Sequence, residues 1–231
     1  MMCRKNPVGL CGFSFVEFVD QDCEFIDKVL NAFGFFWTAQ HNVKAIRLYQ
    51  QGEINVIVNM EMGGNAGAFY RKHGPGVSAI GFRVEAPESA RLRATSLDVE
   101  FVRQNSETSE LNLSSIKGIG DGLIYFVPSE GEPLEEEFIF FDPIEEGERG
   151  AGLCSIDHLT HNVFRGRVDH WAKFYEEMFG FYEARYFDII GEYTGLFSRA
   201  MVAPDQKIRI PLNEEADEGG GQIEEFKGIQ W

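Results

Sequence analysis

The opening of the chain carries a strand-like apolar stretch followed by an apolar stripe at helical spacing. GFSFVEFV at 12–19 has the aromatic and β-branched content of a strand. After it, four apolar residues fall at positions i, i+3, i+4 and i+7, one face of a helix: Ile26, Val29, Leu30 and Phe33. Asp22 stands where an N-cap belongs and Gly34 where a C-terminal glycine belongs. The predicted elements after the first strand are a helix at 23–33 and strands at 44–50 and 54–60.

The same order of elements recurs farther along the chain. SIDHLTHNV at 155–163 predicts a strand and 168–181 predicts a helix, which ends in Gly180-Phe181 as the first helix ends in Gly34-Phe35. Three strands are predicted to follow it, at 184–189, 195–201 and 207–212. A weaker copy lies between the two, with a predicted strand at 77–84, a helix at 87–97 and strands at 99–103, 122–128 and 136–143.

This recurrence describes a βαβββ unit of roughly 65 to 80 residues that occurs three times. One such unit leaves an apolar sheet face bare, so units are expected in pairs. We predict an α+β fold in two domains: a pair of units at 1–143, a linker at 144–152, and a second domain at 153–231 that lacks its last unit. A doubly wound parallel sheet or a helical bundle would contradict this prediction.

The charge balance narrows the range of partners. Lys and Arg total 21 and Asp and Glu total 37, so the net charge is −16 and binding to nucleic acid is disfavoured. The acidic residues gather at 130–137, 144–149 and 213–225, which we interpret as solvated loops; a specific basic partner is the alternative. Four cysteines without a CxxC pair fit a reducing cytoplasm, and we expect neither a signal peptide nor a membrane span.

Two histidines three residues apart, His158 and His161, are the first candidates for chemistry. In a strand only residues two apart share a face, so His158 points one way with Thr160 and Asn162 while His161 points the other way. Both therefore cannot bind one metal unless the strand breaks. From the pattern alone, a single histidine in a strand is more often an ordinary hydrogen-bonded residue than a metal ligand.

Longer motifs identify a family. The stretch IDHLTHNVFRGRVDHWAKFYEEMFGFYEARYFDIIGEYTGLFSRAM at 156–201, then IRIPLNEE at 208–215 and GQIEEF at 221–226, resembles the catalytic domain of the 4-hydroxyphenylpyruvate dioxygenases. FYRKHGPGVSAIGFRV at 69–84 and the opening GFSFVEF resemble the family's N-terminal domain. The resemblance implies the vicinal-oxygen-chelate fold, in which paired βαβββ modules form half-barrels around a metal. That fold agrees with the repeat found from periodicity.

The resemblance also implies a chemistry. Family members hold one Fe(II) with two histidines and a glutamate, which leaves positions for a 2-oxoacid substrate and for O2. The expected reaction converts 4-hydroxyphenylpyruvate and O2 to homogentisate and CO2 in tyrosine degradation. The expected partners are this small-molecule substrate, O2 and further copies of the chain in a homo-oligomer, with no nucleic acid and no membrane. The expected location is the cytoplasm.

Matched position by position, the first iron ligand that the resemblance implies is His158, and His161 matches no family ligand. The implied substrate-binding residues are Ser198, Pro211, Asn213, Gln222 and Gln230. Strand alternation places 211 and 213 on one face, as a pocket requires, and we expect His158 on that concave side with His161 facing away. Without the resemblance, the five would be interpreted as a turn serine, an edge-strand proline and solvent-exposed amides.

The sequence also departs from the family pattern. In the family GIQ is followed by the second iron histidine, whereas GIQ at 228–230 is followed here by Trp231, and the strand with the glutamate ligand is absent. One imidazole binds Fe(II) weakly, so we expect the 231 residues as written to lack dioxygenase activity. The N-terminal domain, where Glu17 has no histidine near it in sequence, is expected to bind no metal.

Three functions remain open at this point. The first is the dioxygenase, with the missing segment present in the native protein. The second is a catalytically inactive relative that acts as a binding or assembly module. The third is hydroxymandelate synthase, which hydroxylates the side chain of the same substrate. An intact mass of the native protein would show whether residues continue beyond Trp231.

Overall fold

The computed structural model describes residues 5–102, 110–131, 133–141, 150–190 and 195–216, with backbone only at 189–190. The strands in these ranges are β1 Leu10–Val19, β2 Phe36–His41, β3 Ile46–Gln51, β4 Ile54–Asn59, β5 Gly76–Val84, β6 Phe101–Val102, β7 Ser114–Lys117, β8 Leu123–Pro128, β9 Phe138–Phe140, β10 His161–Val163, β11 Tyr182–Ile190, β12 Gly195–Val202 and β13 Arg209–Glu215. The helices are α1 Cys23–Ala32, α2 Gly64–His73, α3 Pro87–Ser96 and α4 Val168–Phe179.

Three βαβββ modules repeat one sheet order. In module 1 the strands lie in the order β1-β4-β3-β2, in module 2 β5-β8-β7-β6, and in module 3 β10-β13-β12-β11. The first strand of each module runs parallel to the last, and the remaining pairs are antiparallel. The helix between the first and second strands makes that parallel crossover possible. The predicted vicinal-oxygen-chelate architecture of repeated modules is thereby confirmed.

Modules 1 and 2 join through their first strands. β1 pairs antiparallel with β5, with Val16 opposite Ile80, and this pairing joins the eight strands of the two modules into one sheet. β9 adds a ninth strand beside β2 at the edge. Module 3 forms a separate four-stranded sheet, in which β10 pairs with β13 alone among the described residues. In each sheet we call the side opposite the module helices the inner face.

Local sequence signals set the ends of α1. Asp22 accepts a hydrogen bond at 3.1 Å from the Phe25 N–H, which confirms the predicted N-cap. The chain leaves the helix through Gly34 with φ of +81°. A Cβ at Gly34 would also lie 2.3 Å from the Ala151 nitrogen, so both the backbone conformation and the close approach require glycine.

Helix α4 begins with a cap from another element. Its preceding residue, Arg167, supplies no side-chain cap. Instead the Glu214 carboxylate on β13 accepts hydrogen bonds from the Arg167 and Val168 N–H groups at 2.9 and 2.8 Å. A negative charge at this end is favoured because the first N–H groups of a helix have no partners within the helix. The helix ends at Gly180 in the left-handed conformation, as its sequence predicted.

The two sheets pack together through α3 and α4. The buried face of α4, with Tyr175, Met178 and Phe179 fully enclosed, shares one hydrophobic core with the outer face of β5 and with α3. Burying each such side chain stabilises the fold by about 1.5–3 kcal/mol. The Arg93 guanidinium on α3 also donates to the last carbonyls of α4, with Nε 3.0 Å from the Met178 oxygen.

The structure corrects several predicted elements. The strand predicted at 155–163 is shorter, because pairing with β13 begins only at His161, opposite Leu212. Before that point a single backbone bond joins the Leu159 N–H to the Arg209 carbonyl at 3.2 Å. The strand predicted at 136–143 does not belong to the second unit, because β9 pairs with β2 at the edge of module 1 and β7 takes its place in module 2. The short strands β2 and β7 and helix α2 lacked a sequence signal. Residues 142–149 fall outside the described ranges, so the domain limits at 143 and 152 stay predictions.

Candidate active site

The inner face of the four-stranded sheet carries a row of polar side chains. Ser198 on β12 stands opposite Asn213 on β13, and Asn213 stands opposite Asn162 on β10. Phe187 on β11 pairs with Ser198 and completes the row. Paired residues on neighbouring strands present their side chains on one face, about 5 Å apart. The row therefore places a hydroxyl, two amides and an aromatic ring side by side.

These polar groups are available to a ligand. Ser198 is 7% exposed, and its hydroxyl makes no hydrogen bond within the described residues. The amides of Asn213 and Asn162 also make none there. A hydroxyl without a protein partner can exchange a hydrogen bond with a ligand or with water. The row is thus a candidate binding surface.

Pro211 lies on the same face as this row. It pairs with Ala200 on β12 and is half-buried. Its neighbours Ile210 and Leu212 are fully buried in the core beneath α4. The structure therefore places Pro211 and Asn213 together on the inner face, with small apolar surface next to the polar row.

His158 lies just before β10, and a carboxylate flanks one of its ring nitrogens. His158 Nδ1 is 2.7 Å from Asp157 Oδ2, and the other Asp157 oxygen is 3.3 Å from Arg209 Nη1. The hydrogen bond with His158 and the charge of Arg209 hold the pKa of Asp157 below its usual value. The second ring nitrogen, Nε2, remains for a ligand. Metal-binding histidines in proteins commonly have this carboxylate on the opposite nitrogen.

His161 occupies a different environment. Its Nδ1 lies 3.3 Å from the Tyr175 hydroxyl on α4, on the side of the sheet that faces the core. Burial lowers the pKa of His161 from 6.5 to about 4, so the ring is neutral at physiological pH. Leu159 and Val163 also pack toward this core. His158 lies before β10, outside the paired part of the strand, and its side chain is exposed.

The described residues alone do not complete a metal centre. No group of three His, Cys, Asp or Glu side chains within them is arranged to hold a metal ion. His158 fits as one donor, with its orienting carboxylate in place. Gln222 and Gln230, the other two residues predicted to bind substrate, lie outside the described part of the chain.

Comparison with known proteins decides the family. Residues 4–137, more than half of the chain, match the model for the N-terminal region of hydroxyphenylpyruvate dioxygenase. The chain belongs to the hydroxyphenylpyruvate dioxygenase family. Residues 155–231 match the glyoxalase/bleomycin resistance protein/dioxygenase superfamily. The family resemblance inferred from sequence motifs is thereby confirmed.

Several known proteins are similar along most of the chain. A 4-hydroxyphenylpyruvate dioxygenase from Pseudomonas sp. (strain P.J. 874) is 46% identical over 96% of this chain. The corresponding enzyme of Pseudomonas aeruginosa is 44% identical, and Hemolysin VllY of Vibrio vulnificus is 43% identical, each over 96% of this chain. The chain spans 63% of the length of the first relative and 64% of the other two.

Solved structures agree on the fold. A xylose isomerase-like TIM barrel/4-hydroxyphenylpyruvate dioxygenase fusion protein superposes with a TM-score of 0.76 at 24% identity, covering 91% of this chain and 34% of that one. A mutant of 4-hydroxymandelate synthase from Streptomyces coelicolor gives a TM-score of 0.76 at 17% identity, covering 95% and 67%. At these identities the likeness concerns the arrangement of modules.

Sequence reasoning missed three residues that shape the site. Asn162 had a usable signal, since it shares strand parity with His158. Phe187 and Arg209 had none, because their places depend on contacts between strands or segments whose register the sequence does not reveal.

A second buried polar cluster lies on the inner face of the nine-stranded sheet. Glu17 on β1 is 2% exposed and accepts hydrogen bonds from Ser78 at 2.6 Å and Asn59 at 3.5 Å. Burial, and then the charge of Glu110, raises the pKa of Glu17 from 4.5 to about 7. No partner for Glu17 could be predicted from the sequence. The fold brings Glu110, which is 93 positions farther along the chain, close enough to act on its charge.

Helices in the described part of the chain are too short or too polar to cross a bilayer.

Proposed function

We propose that the protein is a non-haem Fe(II) dioxygenase that converts 4-hydroxyphenylpyruvate and O2 to homogentisate and CO2. The chain is 46% identical to a 4-hydroxyphenylpyruvate dioxygenase. The observation that carries the proposal is the hydrogen bond between Asp157 and the His158 ring, close to a row of polar groups on the same sheet. The His158 imidazole, oriented by Asp157, precedes the strand whose inner face leads to the unbonded Ser198 and Asn213 groups.

In this proposal His158 is one ligand of the iron through Nε2. Asp157 holds the ring by its Nδ1, and Arg209 holds Asp157 in turn. When bound, the iron supplies the centre that chelates the 2-oxoacid and activates O2. The contribution of these three side chains is to fix the direction of the ligand nitrogen, because a mobile imidazole binds metal less tightly.

The polar row binds the substrate. The Ser198 hydroxyl and the Asn213 amide offer hydrogen bonds to the oxygen atoms of the substrate, and Gln222 and Gln230 join them by family resemblance. Pro211 and Phe187 supply apolar surface for the aromatic ring. A pocket that combines a few polar groups with apolar walls orients a small substrate and excludes water from it.

The proposed reaction balances without a further reductant. The oxoacid loses its carboxyl group as CO2, and this decarboxylation supplies the electrons that reduce O2. One oxygen atom enters the new carboxylate and the other hydroxylates the ring, where the side chain migrates to give homogentisate. Both oxygen atoms of O2 are therefore retained in the products.

The test uses protein expressed from its complete gene, with Fe(II), ascorbate and 4-hydroxyphenylpyruvate. We expect coupled O2 uptake and homogentisate formation. His158→Ala should abolish both, and His170→Ala, which changes an exposed histidine on α4, should leave both unchanged. Ser198→Ala and Asn213→Ala should raise KM more than they lower kcat. Full turnover in His158→Ala, or 4-hydroxymandelate as the product, would contradict the proposal.

Three broader assignments belong to the same proposal and rest on family membership. They are a role in tyrosine degradation, a cytoplasmic location and a homo-oligomeric state. Light scattering coupled to size-exclusion chromatography measures the oligomeric state. A monomer at micromolar concentration would contradict the homo-oligomeric assignment.

A further inference from the structure

The inner face of the nine-stranded sheet opens into a pocket that the proposed chemistry does not use. It has a volume of about 480 Å³ and lies between the sheet and the segment that follows β8. Its polar lining includes Arg83, Ser14, Gln50 and Asn55, and its apolar lining includes Leu48 and Val127. We call this space the N-terminal pocket. It lies on a different sheet from Ser198 and Asn213.

Arg83 carries a positive charge that no described residue balances. On β5 the neighbours Phe82 and Val84 point outward into the core shared with α4, so Arg83 points to the inner face. The residue is half-buried, yet its guanidinium has no ion pair and no hydrogen bond within the described residues. Removing a charge from water without a partner is costly, whereas a bound anion would compensate for that cost.

The floor beside Arg83 is a fixed chain of hydrogen bonds. The Thr38 hydroxyl donates to Gln50 Oε1 at 2.8 Å, Gln50 Nε2 donates to Asn55 Oδ1 at 2.8 Å, and Asn55 Nδ2 donates to the Ser14 carbonyl at 2.8 Å. Each amide nitrogen carries two hydrogens, so each retains one donor. The Ser14 hydroxyl, in a residue that is 5% exposed, makes no hydrogen bond within the described residues. The floor is therefore preorganised to donate to an anion.

Among the described residues, the acidic groups near Arg83 do not pair with its guanidinium. Arg83 borders a second cleft, of about 380 Å³, where Lys207 and Arg209 face Glu53 and Asp157. Asp157 is already bonded to Arg209 and His158. Glu135 on the rim of the N-terminal pocket is exposed and is not within ion-pair distance of Arg83.

We propose that the N-terminal pocket binds a small organic carboxylate. Its carboxylate group lies on Arg83 and accepts from the free amide and hydroxyl donors of Asn55 and Ser14. Its apolar body rests on Leu48 and Val127. A planar guanidinium binds a carboxylate through two parallel hydrogen bonds. One arginine balances the charge of a monoanion but only half the charge of a phosphate dianion. The proposal does not depend on the proposed dioxygenase function.

The experiment is equilibrium dialysis of the protein with radiolabelled phenylacetate, with 2-phenylethanol as the uncharged competitor and inorganic phosphate as the competing anion. We expect saturable binding in the millimolar range or tighter. Arg83→Gln should weaken it about ten- to hundredfold, the loss typical of a charge-assisted contact. Arg91→Gln, a matched change of an arginine on α3, should leave the affinity unchanged.

Two further variants keep the result interpretable. Asn213→Ala should not alter phenylacetate binding, which separates this pocket from the candidate active site. Arg83→Lys keeps the positive charge and loses the paired geometry, so it should bind more weakly than the parent protein but more tightly than Arg83→Gln. Absence of saturable binding, equal competition by 2-phenylethanol or stronger competition by phosphate would overturn the proposal. So would full affinity in folded Arg83→Gln or Arg83→Lys, or loss of binding in Asn213→Ala.

Discussion

Replacing Glu17 by glutamine should stabilise the protein at alkaline pH and have little effect at acidic pH. In the folded protein the Glu17 carboxyl is enclosed beside Glu110, and one of its oxygens has no hydrogen-bond partner within the described residues. Burial and the neighbouring charge favour its protonated form, which raises its pKa to about 7. Glutamine has nearly the same shape and keeps an acceptor for Ser78 and Asn59, but it never ionises.

The size and sign of the effect follow from the pKa shift. Below pH 4.5 the carboxyl is protonated in both the folded and the unfolded chain, so folding requires no uptake of a proton and the protein has its full stability. As the pH rises from 4.5 to about 7 the unfolded chain loses the proton first, and this stability is lost. A shift of that size corresponds to about 3 kcal/mol at most. For a chain of this length it means a rise in Tm of about 6–12 °C for Glu17→Gln at pH 8.

The assay is thermal and urea unfolding of the parent protein and Glu17→Gln at pH 5 and pH 8. Glu136→Gln, which changes an exposed carboxyl, serves as the matched control and should shift neither curve. We expect the Glu17→Gln advantage to grow with pH and to level off above about pH 8. An equal shift at both pH values, or a destabilised variant at pH 8, would refute the reasoning that Glu17 is buried in a protonated form.

Three other changes test separate parts of the fold. Glu214→Ala removes the cap of α4 and should lower the free energy of unfolding by about 1–2 kcal/mol, measured by urea unfolding, whereas Glu214→Gln should lose less because its amide oxygen still accepts. Arg93→Ala removes the bonds between α3 and the end of α4, and hydrogen exchange of α4 should accelerate while that of β4 stays unchanged. The parent protein should lose stability as the pH falls from 6.5 to about 4, because His161 takes up a proton in the unfolded chain but stays neutral in the fold. His161→Gln should lose less, because glutamine does not titrate, and urea unfolding across this pH range measures the difference.

The modules could be predicted from sequence because each carries its own local signals. The helix after β1, the cap at Asp22 and the glycine at Gly180 each depend on signals within one element, and the structure has all three. Of the predicted apolar stripe only Leu30 is buried, whereas Val29 and Phe33 are exposed. Helix α2 escaped prediction because its sequence, GNAGAFYRKH, combines two glycines with a weak apolar stripe; contacts of Phe69 with β1 and its surroundings decide its conformation.

The candidate site was only partly accessible to sequence reasoning. Parity within one strand was enough to place Pro211 and Asn213 together, and His161 lies on the core side beside Tyr175, as its parity predicted. The orientation of His158 stays a prediction, because pairing with β13 begins only at His161. The register between neighbouring strands cannot be predicted from the sequence, so the pairing of Phe187 with Ser198 could not be predicted. For the same reason the acceptor that caps α4 and the second carboxyl beside Glu17 came only from the fold, since each pair joins segments that are distant in sequence.

A crystal structure of the protein expressed from its complete gene, grown without oxygen with Fe(II) and 4-hydroxyphenylpyruvate, tests the central claim most directly. We predict iron within bonding distance of His158 Nε2, with Asp157 still on Nδ1. The substrate should lie on the inner face of the four-stranded sheet and contact Ser198 and Asn213. Iron bound at His161 or on the nine-stranded sheet, or substrate bound away from Ser198 and Asn213, would contradict the account.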